Sequence, residues 1–156
     1  MDPEIVYGDI LHQNVEVIVN SWNRNIIPWW LLLPQGVSGA IKKHGGLMPF
    51  KEIGRVRPMP LGSAKEISAG TLQYKSIIHV AGINMFWFAT EFSVSKSVYS
   101  AMAIVNEQKY QSVAFPLIGS GSGNRGQEWS LSVMLMAFRS IESDAKVKII
   151  RYSRGS

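Results

Sequence analysis

The sequence predicts an α/β fold in which a largely parallel sheet carries helices on both faces. Short β-branched runs alternate with longer segments of helical periodicity, and small or amide residues follow the ends of the runs. A chain of 156 residues with 46% hydrophobic content suits one core, so residues 1–156 are expected to form a single domain with the Gly-Ser ending as a tail.

Strands are expected at Glu4 to Tyr7, Val15 to Val19, Gly62 to Ser68, Ser76 to Ala81, Ser112 to Leu117 and Val147 to Tyr152. Between the second and third, Gly36 to His44 reads as a short helix closed by Gly45 and Gly46. Glu91 to Glu107 places Val94, Val98, Ala101, Met102 and Val105 on one helical face. Glu128 to Ile141 turns Leu131, Val133, Met134, Leu135, Ala137 and Phe138 to the sheet, with methionine as gap filler rather than ligand.

Composition narrows the function classes. With no cysteine there is no disulfide, thiolate metal site or cysteine nucleophile, and a reducing, cytoplasmic setting is the expectation. The start, MDPEIVYGDI, has no basic leader and no apolar signal stretch. The longest apolar run, Ile26 to Leu33, is interrupted by Pro28 and stopped by Pro34, well short of the roughly 20 residues of a spanning helix. A net charge of +5 favours anionic partners, yet Lys42, Lys43, Arg55, Arg57, Lys65, Lys109, Arg139 and Arg151 are scattered, which argues against a nucleic-acid arm. Three dispersed histidines without a carboxylate pattern argue against a metal, and no cofactor is expected. His79 alternates inside a strand as a structural histidine, whereas His12 and His44 sit at loop or helix-end positions where solvation is the ordinary outcome.

In open α/β sheets, ligands bind beyond the carboxyl ends of the strands. Those exits here are Asn20-Ser21-Trp22-Asn23, Gly82 and Gly119-Ser120-Gly121-Ser122-Gly123-Asn124. Glycine lets backbone amides approach an anion closely, so the Gly-Ser-Gly-Ser-Gly loop suits a diphosphate. Gln35-Gly36-Val37-Ser38-Gly39-Ala40-Ile41 is a second candidate anion loop ahead of a helix. Neither is the G-x-G-x-x-G fingerprint, and Gly-Ser-Gly-Asn-Arg-Gly lacks the Lys-Ser/Thr ending of a P-loop.

Five pieces in order, Gly8-Asp9-Ile10, Val17-Ile18-Val19-Asn20-Ser21-Trp22-Asn23, Gly36-Val37-Ser38-Gly39-Ala40-Ile41, Ile77-Ile78-His79-Val80-Ala81-Gly82 and Ala114-Phe115-Pro116-Leu117-Ile118-Gly119-Ser120-Gly121, resemble the macro domain of bacterial type. The resemblance runs from residue 5 to 152. It implies a three-layer α/β/α sandwich with a mixed, largely parallel six-stranded sheet and a cleft for ADP-ribose. Asp9 resembles the acid that accepts from the adenine amino group, with the Ile10 amide beside it, and Tyr152 would supply the stacking face. Gly36 to Ala40 and Gly119 to Gly123 look like the loops gripping the diphosphate, with Asn20, Gly82 and Asn124 among the lining residues. Asn23 looks like the amide that orients the distal ribose. Each has a plain alternative: Asp9 as a cap, Tyr152 packed at an edge, Asn23 bonded to its own backbone.

Many macro domains hydrolyse an ester, phosphate or N-glycosidic bond at the distal ribose through an ordered water. The acid that many hydrolytic members carry after Gly-Val is Ser38 here, and serine alone is no base. Viral relatives also lack that acid, so the resemblance leaves two readings: a mono-ADP-ribosyl or O-acetyl-ADP-ribose hydrolase, or a non-catalytic reader of ADP-ribosylated macromolecules. For the first, Asn23 orients the ribose, Ser38 lines the reacting centre, and His44 and Glu128 are reserve bases without motif support. A poly-ADP-ribose or RNA binder is a more remote alternative. The expected partner is ADP-ribose or an ADP-ribosylated substrate, with no membrane and a monomeric chain.

The departure from the family pattern is Arg24 to Gln35, which holds Trp29, Trp30 and three leucines where many relatives carry a short glycine-rich turn. It folds into the core, forms an apolar lid beside Asn23, or makes an oligomer contact. Met85-Phe86-Trp87-Phe88 is either another cleft wall or a buried helix start.

Overall fold

Ser76-Ile77-Ile78-His79-Val80 is buried along its whole length, as befits a strand covered on both faces. In the computed structural model, which describes residues 1–21, 60–69, 72–82, 89–119 and 126–151, this strand sits within a six-stranded sheet. The strands are β1 (Glu4–Tyr7), β2 (Val17–Ser21), β3 (Ala64–Ile67), β4 (Ser76–Val80), β5 (Ser112–Phe115) and β6 (Lys146–Arg151), in the order β1-β6-β5-β2-β4-β3. All neighbours are parallel except β3, which runs antiparallel to β4. The mixed, largely parallel sheet is the one expected from the sequence.

Helices α1 (Glu91–Glu107) and α2 (Gln127–Arg139) pack on one face. Val94, Val98, Ala101, Met102 and Val105 of α1, and Leu131, Val133, Met134, Ala137 and Phe138 of α2, are buried there against Val17, Val19, Ile78, Val80, Val113, Phe115 and Ile149. Phe138 meets Phe115 edge-on, with centroids 5.2 Å apart and planes at 89°, a favourable geometry for two aromatic quadrupoles. The start of α1 is fixed by a reciprocal cap: Thr90 Oγ1 accepts from Ser93 N at 3.0 Å and Ser93 Oγ accepts from Thr90 N at 2.8 Å. On the other face Ile10, Ile18, Ile67, Ile77, Ala81, Ala114 and Ile150 form a second cluster. The helix expected over Gly36 to His44 lies outside the described residues, as does Met85 to Phe88.

Strand boundaries differ from expectation where hydrogen bonding, rather than residue type, decides them. The β2 ladder begins at Val17 and continues through Asn20, opposite His79, to Ser21, opposite Val80. Val15 and Glu16 precede it; Glu16 N donates to Ser112 Oγ at 2.9 Å and its carbonyl accepts from Lys75 N at 2.8 Å. Asn20 is thus a strand residue and not part of the exit loop. β5 stops at Phe115, before Pro116, which has no N–H to continue a ladder. β3 is shorter than Gly62 to Ser68 because Gly62, at φ +84°, lies in a turn. α2 ends at Arg139 rather than Ile141.

Candidate functional site at the carboxyl edge

Five parallel strands bring their carboxyl ends to one edge of the sheet, and the exits of β2, β4 and β5 pack against one another. A Cβ on Gly82 would stand 2.5 Å from Ile118 Cγ2 and 2.9 Å from Ser21 Oγ, so only glycine lets these chains approach so closely. Gly119, at φ +86°, is equally constrained, since a Cβ there would stand 2.5 Å from Ala89 Cβ. Gly82 and Gly119, two residues singled out in the sequence, are therefore neighbours of the same junction.

Each helix anchors one of these exits with a serine from its first turn. Ser93 Oγ of α1 donates to the Gly82 carbonyl at 2.8 Å, and Ser130 Oγ of α2 donates to the Ile118 carbonyl at 2.6 Å. Both serines are fully buried. Sequence reasoning missed them, because a serine on an apolar stripe reads as a packing compromise. The available signal was spacing: Ser93 with Ser97, and Ser130 with Met134, each lie one helical turn apart and face the sheet.

One residue deeper, Asn20 and His79 face each other across β2 and β4, both fully buried, with Asn20 Nδ2 3.1 Å from His79 Nδ1. Burial pushes the His79 ring down to about 3, so it is neutral at physiological pH and acts as a structural element of the sheet. This agrees with the structural reading of His79. The amide of Asn20 is engaged within the sheet.

At the far end of the same edge, Gly8 N donates to the Arg151 carbonyl at 2.9 Å and brings Asp9 beside the end of β6. Asp9 caps a 3-10 turn (Ile10–His12): Oδ1 accepts from Leu11 N at 2.9 Å and Oδ2 lies 3.1 Å from His12 Nδ1. Its side chain is still 47% exposed, so its oxygens remain accessible while their direction is fixed. Ile10 is buried, and its carbonyl accepts from Tyr74 OH at 3.1 Å. Burial raises the Tyr74 phenol above its ordinary value, with the Gln13 contact opposing and Asp9 adding to the rise. Two strand spacings, roughly 10 Å, separate the β1 exit from that of β5.

The Arg151 guanidinium lies 2.5 Å from Glu128 Oε1 and 5.5 Å from the centre of the Tyr7 ring. Glu128, a reserve base in the sequence reading, is thus an exposed ion-pair partner at the start of α2. Asn23, Trp29, Trp30, Gly36 to Ala40, His44, Ser120 to Asn124 and Tyr152 lie outside the described residues. Among the described residues, no three His, Asp or Glu side chains come together as a metal site, and no helix is long and apolar enough to cross a membrane.

These features define an α/β module whose strand exits converge on one edge, with glycine where the backbones meet and an oriented carboxylate at one end. The macro domain model matches residues 19–134. A macro domain-containing protein of Listeria monocytogenes serotype 4b is 32% identical over 163 residues, covering 97% of this chain and 89% of that protein. An Aquifex aeolicus protein is 30% identical over 151 residues, covering 96% and 88%. Among solved structures, a mutant of the Oceanobacillus iheyensis macrodomain with ADPR superposes with a TM-score of 0.83 at 26% identity, covering 96% of this chain and 84% of that one. The chain belongs to the macro domain family.

Proposed function

We propose that this chain binds ADP-ribose along the carboxyl edge of the sheet and hydrolyses a bond at the distal ribose of a mono-ADP-ribosylated or O-acetylated form. The observation that carries the binding is the likeness, over nearly the whole chain, to a macrodomain with ADPR. The accessible, capped carboxylate of Asp9 supports an adenine end beside β1 and β6. The Gly82 and Gly119 junction supports a diphosphate end two or more strands away. In this reading Asn20 supports the exit of β2 from within the sheet, Tyr152 stacks on adenine, and the amides of 36–40 and 120–124 hold the phosphates.

For hydrolysis, Asn23 orients the distal ribose and the substrate's own diphosphate helps activate water, with Ser38 standing where an acid would otherwise act. Calorimetric titration with ADP-ribose, followed by product analysis on O-acetyl-ADP-ribose and a mono-ADP-ribosylated protein, tests binding and turnover together. Asn23→Ala is expected to lower turnover at least tenfold while binding persists; unchanged turnover would refute the assignment of Asn23.

A second reading, a non-catalytic reader, is favoured by the state of the described titratable groups. His79 is buried and neutral, Glu128 is paired with Arg151, and Asp9 is committed to a cap. Binding without product on either substrate decides for it.

A further inference from the structure

We propose that Ser130 is a positioning residue for the ligand's diphosphate: from inside α2 it fixes the Ile118–Gly119 peptide plane and so aims the Gly119 N–H. This rests on the reading of the site as one for ADP-ribose and adds a residue of α2 that the strand exits alone do not suggest.

The hydroxyl of Ser130 is fully buried and donates to the Ile118 carbonyl at 2.6 Å. Its other polar neighbour is the Met134 sulfur at 3.8 Å, so the carbonyl is its principal partner. A trans peptide is planar, with carbonyl and N–H pointing in opposite directions. Holding the Ile118 carbonyl toward α2 therefore turns the Gly119 N–H away from α2. Gly119 is itself fixed by φ +86° and by the 2.5 Å at which a Cβ would meet Ala89, so the plane cannot relax by rotating about that residue.

Gly119 is buried, and its N–H donates no hydrogen bond among the described residues. Buried amides left without a partner are rare, because each forfeits its interaction with water. An anionic oxygen is a strong acceptor for such a group, and this amide opens the glycine-rich stretch that follows β5. Ser93 makes the parallel contact to the Gly82 carbonyl, but a positive φ and an amide with no partner among the described residues occur together at Gly119.

The test uses NMR titration of the full chain with ADP-ribose and, separately, with adenosine, which has no phosphate. In the unaltered protein the Gly119 amide resonance is expected to shift with ADP-ribose and stay in place with adenosine. Ser130→Ala is expected to weaken ADP-ribose binding about tenfold and leave adenosine within twofold. Ser130→Cys, which keeps a weak donor, should recover part of that loss. Val133→Ala, a buried truncation on the same helix that leaves the Ser130 hydroxyl in place, controls for general loss of stability and should leave both ligands within twofold. An unshifted Gly119 amide, equal losses on both ligands, or ADP-ribose binding within twofold in Ser130→Ala overturns the role of Ser130 while the function stands. Failure of the unaltered chain to bind ADP-ribose overturns the function itself.

Discussion

At the amino edge of the sheet, charges answer one another. Glu16 pairs with Lys75 and accepts from Gln111 N at 2.7 Å; these contacts, Lys75 first, hold its carboxyl below the usual range, and the same pair raises Lys75. Glu66 accepts from Ser76 Oγ at 2.7 Å and from Tyr110 OH at 2.5 Å, and burial followed by the Glu66 contact pushes the phenol up. At the carboxyl edge, by contrast, neutral serines hold backbone carbonyls, glycines stand where chains touch, and the Asp9 carboxylate stays accessible. One edge is built on half-buried carboxylates and their partners, and the other on serine-to-carbonyl bonds and close glycines, with the exposed Asp9 cap and the Arg151–Glu128 pair at its far end.

The most severe way to break that contrast is Gly119→Val. It places a branched side chain at φ +86° against Ala89 and is expected to cost about 3 kcal/mol or more in urea unfolding, with loss of ADP-ribose affinity. A cost below about 1 kcal/mol would mean the junction adapts and glycine is not required there.

Acid sharpens the comparison next. The folded chain holds His79 neutral down to about 3, whereas an unfolded histidine takes up a proton near 6.5. Its contribution to stability is full above 6.5 and falls as pH drops toward 3, with about 2 kcal/mol of it lost by pH 5. Replacing it in His79→Gln should flatten unfolding free energy between pH 7 and 5; an unchanged slope would place the acid sensitivity elsewhere.

The smallest expected effect is at the amino edge. Tyr110→Phe removes one partner of Glu66 and should cost about 1 kcal/mol without altering ADP-ribose affinity. Because the Tyr110 phenol is raised, its own contribution is present below 10.0 and is lost as pH rises beyond it, so the variant should also be less sensitive to alkali. A change in ligand affinity would show that the two edges are coupled.

How much of this was legible in the sequence depended on what each element answers to. The buried strands and the stripe of α1 were readable because side-chain periodicity reports burial directly: Val94, Val98, Ala101, Met102 and Val105 all face the core. Ends were less so, since Asn20 looks like an exit residue by composition but is held in the ladder opposite His79. The antiparallel direction of β3 leaves no mark in a run as short as Ala64–Ile67; the family resemblance implied a mixed sheet without saying which strand is reversed. In the site, Gly82 and Gly119 were visible because close approach demands glycine. Ser93, Ser130 and Arg151 were not, because each acts on a backbone or side chain distant in sequence.

The pairing of β1 with β6 joins Glu4–Tyr7 to Lys148–Arg151, almost the full length of the chain apart. During synthesis, β1 leaves the ribosome before β6 and must wait for it before their ladder can close. Its Ile5 and Tyr7, still 40% and 66% exposed after docking, are uncovered further in the interval. Folding of this edge is therefore the long-range, late-closing part of the molecule, and the turn that carries Asp9 is tied down only once residue 151 is available to accept from Gly8 N.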